Sequence, residues 1–193
     1  MEFGELVQKS RSYRRFDAGR AIDERTLKDL AGLARTAPSA ANRQPLKFVL
    51  SCSPEWNARI FATLAWAGYL PDWGGPRPEE RPTAYVVILL DKAISQAADV
   101  DVGIAAQTIL LGAVERGLGG CMFGAVKRTE LAAALGLGEG FAVALVIALG
   151  KPVEKVVLDD LPAGGSIKYY REPDGTHHVP KRKLEELILA SYA

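Results

Sequence analysis

The chain has 193 residues, 48% hydrophobic and 24% charged, with a formal net charge of +1. That length suits one domain with a full core, expected to span residues 1–193, and the near-neutral balance gives no general reason to expect a nucleic acid or a membrane surface as partner. Two widely separated cysteines, Cys52 and Cys121, indicate neither a disulfide framework nor a zinc site.

The N-terminus lacks a basic segment followed by an apolar one, so no secretory signal is read and a cytoplasmic location is expected. Phe3, Leu6 and Val7 share one helical face, and residues 2–9 read as a short helix that delivers a basic segment. Lys9, Arg11, Arg14, Arg15 and Arg20 then fall within twelve residues, opposed only by Asp17. Three guanidiniums around the hydroxyl of Ser12 suit a phosphate or another small anion, because arginine forks match its oxygens. A solvated basic turn is the plain alternative.

A second helix is expected from Asp23, whose carboxylate can cap it, through Leu27, Leu30, Leu33 and Ala34 to Thr36, with Pro38 as its stop. The connection that follows, Pro38-Ser39-Ala40-Ala41-Asn42-Arg43-Gln44-Pro45, is unusually polar for a helix-to-strand link. Its prolines fix the backbone, while Ser39, Asn42 and Gln44 supply hydrogen bonds suited to a flat, heteroatom-rich ring. Lys47 to Ser51 reads as a strand and Glu55 to Tyr69 as a helix that packs Trp56, Ile60, Leu64 and Tyr69.

Residues 70–82 hold four prolines and Gly74-Gly75 around Trp73. They read as a loop, either a lid over a substrate or a surface excursion with the tryptophan tucked beneath it. Tyr85 to Leu90 is typical of a buried strand, and Ala97 to Arg116 is the longest helix. From Val102 to Val114 that helix is apolar on nearly every side, so it must be covered by a large core or by a second subunit. It falls well short of the ~20 apolar residues that span a bilayer.

Cys121 to Phe123 reads as a short strand, with Cys121 as a buried thiol, Arg128 to Leu135 as a helix, and Phe141 to Leu149 as a buried strand. Lys151 to Ala163 is expected to be extended and exposed, His177 and His178 to lie in a surface turn, and Lys181 to Tyr192 to form a final helix. Helices and strands do not alternate regularly, so the fold class is α+β, a sheet flanked by helices. Gly117-Leu118-Gly119-Gly120 lacks dinucleotide-binding spacing, and no side-chain set of nucleophile, acid and base can be assembled. A polar, ligand-shaped apparatus without a side-chain reaction centre points to chemistry carried by a cofactor.

Four blocks, in order, resemble the nitroreductase family of FMN-dependent oxidoreductases: Arg11-Ser12-Tyr13-Arg14-Arg15-Phe16, Ala37 to Pro45, Asp101 to Gln107 leading on to Gly117 to Gly124, and Ala148-Leu149-Gly150-Lys151-Pro152. The resemblance implies a nitroreductase-like fold with a central mixed or antiparallel sheet, in an interlocked homodimer with FMN at the subunit interface. Arg11 and Ser12 would hold the phosphate and ribityl end, and Arg14 the pyrimidine edge of the ring. Pro38, Ser39, Ala40 and Asn42 would come from the partner subunit. The backbone of Gly124 and Ala125 would lie near flavin N5, and Lys181 and Arg182 would complete the phosphate site.

It further implies a ping-pong oxidoreductase: NAD(P)H reduces the flavin and leaves, and a small planar acceptor, a nitroaromatic or quinone, takes its place. No side chain need be catalytic. A carrier or sensor that holds flavin without turnover, or a related flavin chemistry such as reductive dehalogenation, would use the same cofactor site. Three departures stand out. Ser10 occupies a position often basic in the family, Leu46 one commonly Trp, and residues 54–82 match nothing closely enough to carry a contact across.

Overall fold

Asp23 does cap the second helix. In the computed structural model, which describes residues 1–192, its carboxylate accepts the Thr26 N–H at 2.8 Å. Helix α1 spans Phe3–Lys9 and α2 spans Glu24–Arg35, with Leu27, Leu30 and Ala34 buried along one stripe. A short 3-10 turn at Ala40–Asn42 leads into strand β1, Leu46–Ser51. Helix α3 spans Pro54–Phe61 and strand β2 Ala84–Asp91. Then come helix α4, Asp99–Glu115, strand β3, Gly119–Phe123, helix α5, Arg128–Ala134, and strand β4, Phe141–Gly150.

The four strands form an antiparallel sheet in the order β1-β2-β4-β3. Strand β2 lies inside it and is buried on both faces. Ala84, Val86 and Ile88 join a core with Leu27 and Leu30 of α2 and Ala106, Ile109 and Ala113 of α4. Tyr85, Val87 and Leu89 join a second core with Ile60 of α3 and Leu131 of α5. The period-two alternation along one strand therefore builds both cores, and each large aliphatic contributes about 1.5–3 kcal/mol of burial.

Helix α4 draws most of its cover from its own chain, α2 on one side and the sheet on the other. Gly112 permits the α2 contact, since a Cβ there would stand 2.5 Å from Leu33 Cδ1. What stays open is a stripe that runs through Val100, Gly103 and Gln107, with Val100 72% exposed.

Four expectations are corrected. The helix expected over 55–69 ends at Phe61, because the next residues are claimed by tertiary pairing: Leu64 bridges Val126 and the Ala65 N–H donates to Ala125 O at 3.0 Å. Trp66 then packs on Phe61 and Phe123, at 5.3 and 4.6 Å between ring centroids. The segment 151–163 is not simply extended and exposed, for Val156–Asp160 forms strand β5. His177 and His178 do not lie in a turn but in strand β7, His177–Lys181, with His177 fully buried. Of the helix expected over 181–192, only Leu184–Leu187 is helical, as α6.

The chain divides into two compact units, the first containing everything up to Trp66 and Gly75–Val153. The second unites Ala67–Gly74 with the chain from Glu154 onward. In this unit β5 pairs parallel to β7, and strand β6, Tyr170–Arg171, pairs antiparallel to β7. Trp73 is half-buried beneath the Arg171 guanidinium, 4.6 Å from its ring centroid, and Arg171 pairs with the buried Glu154 at 3.0 Å. The tucked alternative for this tryptophan is the one observed. Among the described residues no helix is long and apolar enough to cross a membrane.

Candidate functional site

The basic segment is laid against the free edge of the four-stranded sheet. Ser12 forms a parallel bridge with Gly120 of β3, and the Tyr13 N–H donates to Gly120 O at 3.0 Å. Phe16 anchors the segment, fully buried and bridged to Pro152. Glycine is required on the strand side. A Cβ on Gly119 would stand 2.6 Å from Tyr13 Cδ2 and Pro152 Cγ, and one on Gly120 would stand 2.4 Å from Ala148 O. The Gly-Gly pair thus has a packing role that lets the basic segment and β3 close together.

Arg11 is partly buried there. Its Nη2 donates to Val7 O at 2.7 Å, while its Nε is buried and has no hydrogen-bond partner among the described residues. Burial lowers the Arg11 pKa, with the nearby Tyr13 opposing that shift, yet the guanidinium keeps its charge at neutral pH. A partly buried cation with an unspent donor is what an anion would complete. Arg14 Nη1 donates to Ser12 O at 3.3 Å, which ties this second guanidinium to the backbone of the same segment. Arg15 is used structurally, its Nε donating to Glu80 at 2.9 Å.

At the other end of β3 the chain opens at Gly124 and Ala125, both exposed, and no atom lies within 4 Å of where a Gly124 Cβ would be. Four residues separate Gly120 from Gly124, about 13 Å of extended chain. One sheet edge therefore carries arginines at one end and bare, accessible backbone at the other. That fits a group such as FMN, with an anionic tail and a flat ring. The residues that would hold it here are Arg11 and Ser12 at the tail, and Arg14, Gly124 and Ala125 toward the ring.

The loop 38–45 lies elsewhere. It enters β1, at the opposite edge of the sheet, three strand spacings or roughly 14 Å from β3. Leu46 pairs with Leu90, which pairs with Ala142, whereas Gly120 pairs with Leu149. Seven residues along β4 add roughly 23 Å along the strand direction. Within one chain, Pro38, Ser39, Ala40 and Asn42 are thus diagonally across the sheet from Arg11, Ser12 and Arg14. Lys181 and Arg182 belong to the second unit, the former ending β7 and the latter paired with Glu186 at 3.6 Å.

The loop is tightly made. The Ser39 hydroxyl donates to Asp101 of α4 at 2.5 Å and accepts from the Gln44 N–H at 2.9 Å, and Gln44 Nε2 donates to Asn42 Oδ1 and O, each at 3.1 Å. Asp101 was not assigned a role from the sequence. The available signal was an acid placed directly before the apolar run that begins at Val102. Beside the loop, Ala34, Pro38, Phe48, Asp101 and Ala105 line a cavity of about 220 Å3.

The sequence model of the nitroreductase family matches residues 7–151. Solved structures share the fold. A nitroreductase family protein from Clostridium novyi NT aligns at 24% identity and a TM-score of 0.64, covering 79% of this chain and 87% of that one. An FMN-dependent nitroreductase from Clostridium difficile R20291 aligns at 21% identity and a TM-score of 0.63, covering 78% and 87%. A protein from Exiguobacterium sibiricum 255-15, solved in complex with FMN, aligns at 18% identity and a TM-score of 0.66, covering 79% and 89%.

Proposed function

Because the chain belongs to the nitroreductase family, we propose that it is an FMN-dependent oxidoreductase that draws on NAD(P)H and reduces a flat organic acceptor, a nitroaromatic or a quinone. The observation that carries this reading is the β3 edge, where the partly buried Arg11 keeps an unspent donor at one end and Gly124 leaves backbone open at the other. Bound there, FMN supplies hydride acceptance and electron delivery.

The chain's own residues bind and orient. Arg11 and Ser12 hold the phosphate end, where the guanidinium regains in charge-assisted hydrogen bonds what burial costs it. Arg14, tied to the Ser12 carbonyl, brings positive charge toward the ring and favours its reduced, anionic form. Gly124 and Ala125 offer a backbone wall held by the bridge between Leu64 and Val126.

Two corners that do not meet in one chain can share a ligand if a second copy supplies one of them. We therefore take Pro38, Ser39, Ala40 and Asn42 to act on the partner's flavin in a homodimer, Ser39 through its main chain because its hydroxyl is engaged by Asp101. The diagonal separation across the sheet supports this reading, as does the exposed stripe of α4. The test is Arg14→Ala, assayed for FMN affinity and reduction potential. We expect weaker FMN retention and a more negative potential; unchanged values of both would remove the assignment.

A further inference from the structure

Asp101 is a buried carboxylate, 5% exposed, in the first turn of a helix that is otherwise greasy. The other carboxylate buried to this degree, Glu154, is neutralised by Arg171. Asp101 makes no ion pair among the described residues; it takes the Ser39 hydroxyl at 2.5 Å and the Ala40 N–H at 3.2 Å. Burying a charge without a counter-ion is costly, so packing alone gives no reason for an acid here. Its two acceptors are spent entirely on a loop some sixty residues earlier.

That loop needs holding. Ala41, Asn42 and Gln44 all adopt the left-handed region, with φ of 50°, 52° and 52°, and none is glycine. Such residues cost roughly 1–2 kcal/mol each and persist only where surrounding structure enforces them. The enforcing chain runs from Asp101 to Ser39 to the Gln44 N–H, and from the Gln44 amide to Asn42. It ties both ends of the strained turn to α4. It also occupies the carboxamide oxygen of Asn42 and so leaves the Asn42 NH2 as the group offered outward.

We propose that Asp101 is the positioning residue of the 38–45 loop, acting through Ser39, whose hydroxyl is a clip within the chain and not a ligand of the cofactor. This rests on the proposed function, in which the loop borders a flavin. It assigns the loop's recognition to its main chain and to Asn42, and it makes the shape of the cofactor pocket depend on a carboxylate that never touches the cofactor.

The test uses Asp101→Asn, Ser39→Ala, their double variant and Ser39→Thr, each with two readouts. The first is amide hydrogen exchange at Ala40 and Gln44 in the flavin-free protein, with amides of β4 as the internal reference. The second is the FMN dissociation constant, measured well below the melting temperature. We expect each single change to speed exchange at the two loop amides and weaken FMN binding by about tenfold, with β4 amides unmoved. The double variant should be no worse than the poorer single variant, and Ser39→Thr should retain native behaviour.

Unchanged loop exchange, unchanged FMN affinity despite faster exchange, or additive effects in the double variant would each overturn the proposal. If Asp101→Asn fails to fold, Ser39→Ala and Ser39→Thr carry the same decision. If the native protein holds no FMN, the proposed function falls separately, and the clamp is then decided by exchange alone.

Discussion

Arg11 and Tyr85 each bury a polar side-chain atom without a partner, and their chemistry separates them. The guanidinium is a cation on an edge where a ligand can enter, so its orphan Nε reads as a binding group. The Tyr85 side chain is enclosed in the second core, 1% exposed, and burial pushes its pKa up, the nearby Arg81 opposing. Arg11→Ala should weaken FMN binding by tenfold or more, on the order of the 1.5–3 kcal/mol of a charge-assisted hydrogen bond, as read by fluorescence titration. Tyr85→Phe removes an unsatisfied hydroxyl, so thermal unfolding should show no loss of stability, and a clear loss would mean that the hydroxyl has a partner. Gly120→Ala drives a methyl into Ala148 O and should cost about 1–3 kcal/mol in denaturant unfolding.

At the scale of elements, α2 and α4 pack together over one face of the sheet in the first unit. Leu30→Ala, at a fully buried position in that contact, should destabilise by about 2–5 kcal/mol. The cap of α2 has a pH signature. Hydrogen bonds from Thr26, first its side chain and then its backbone N–H, lower the Asp23 pKa. Its contribution is therefore complete above the ordinary carboxylate range and is lost as pH falls through the lowered folded value. Asp23→Asn, which keeps an acceptor but cannot titrate, should melt with a shallower acid dependence than the native chain.

Elements fixed by local chemistry were legible in the sequence: the Asp23 cap and the buried strand at Tyr85 to Leu90 both follow from neighbours in the chain. Elements fixed by distant partners were not. Trp56, Ile60 and Leu64 keep helical spacing, yet Leu64 is claimed by Val126, some sixty residues on. Strand β5 exists because β7 pairs with it in parallel, and nothing in residues 151–163 announces that partner. Asp101 escaped for the same reason, since its role is defined by Ser39, sixty-two residues away.

For the whole molecule, the arrangement of the sheet shapes the function. The sequence showed two ligand-suited stretches and could not show that they lie at diagonally opposite corners, because that depends on the strand order β1-β2-β4-β3. If both corners serve one flavin, the protein in solution is a dimer, and light scattering should give twice the chain mass with one FMN per chain. A monomer that binds FMN normally would contradict the shared site. The most direct measurement is the absorption spectrum of the purified protein during anaerobic titration with NADH and then NADPH. The account predicts bound flavin absorption that bleaches with at least one of the two and returns when a quinone or nitroaromatic is added. A protein that binds no FMN, or whose flavin bleaches with dithionite but with neither nucleotide, would contradict it.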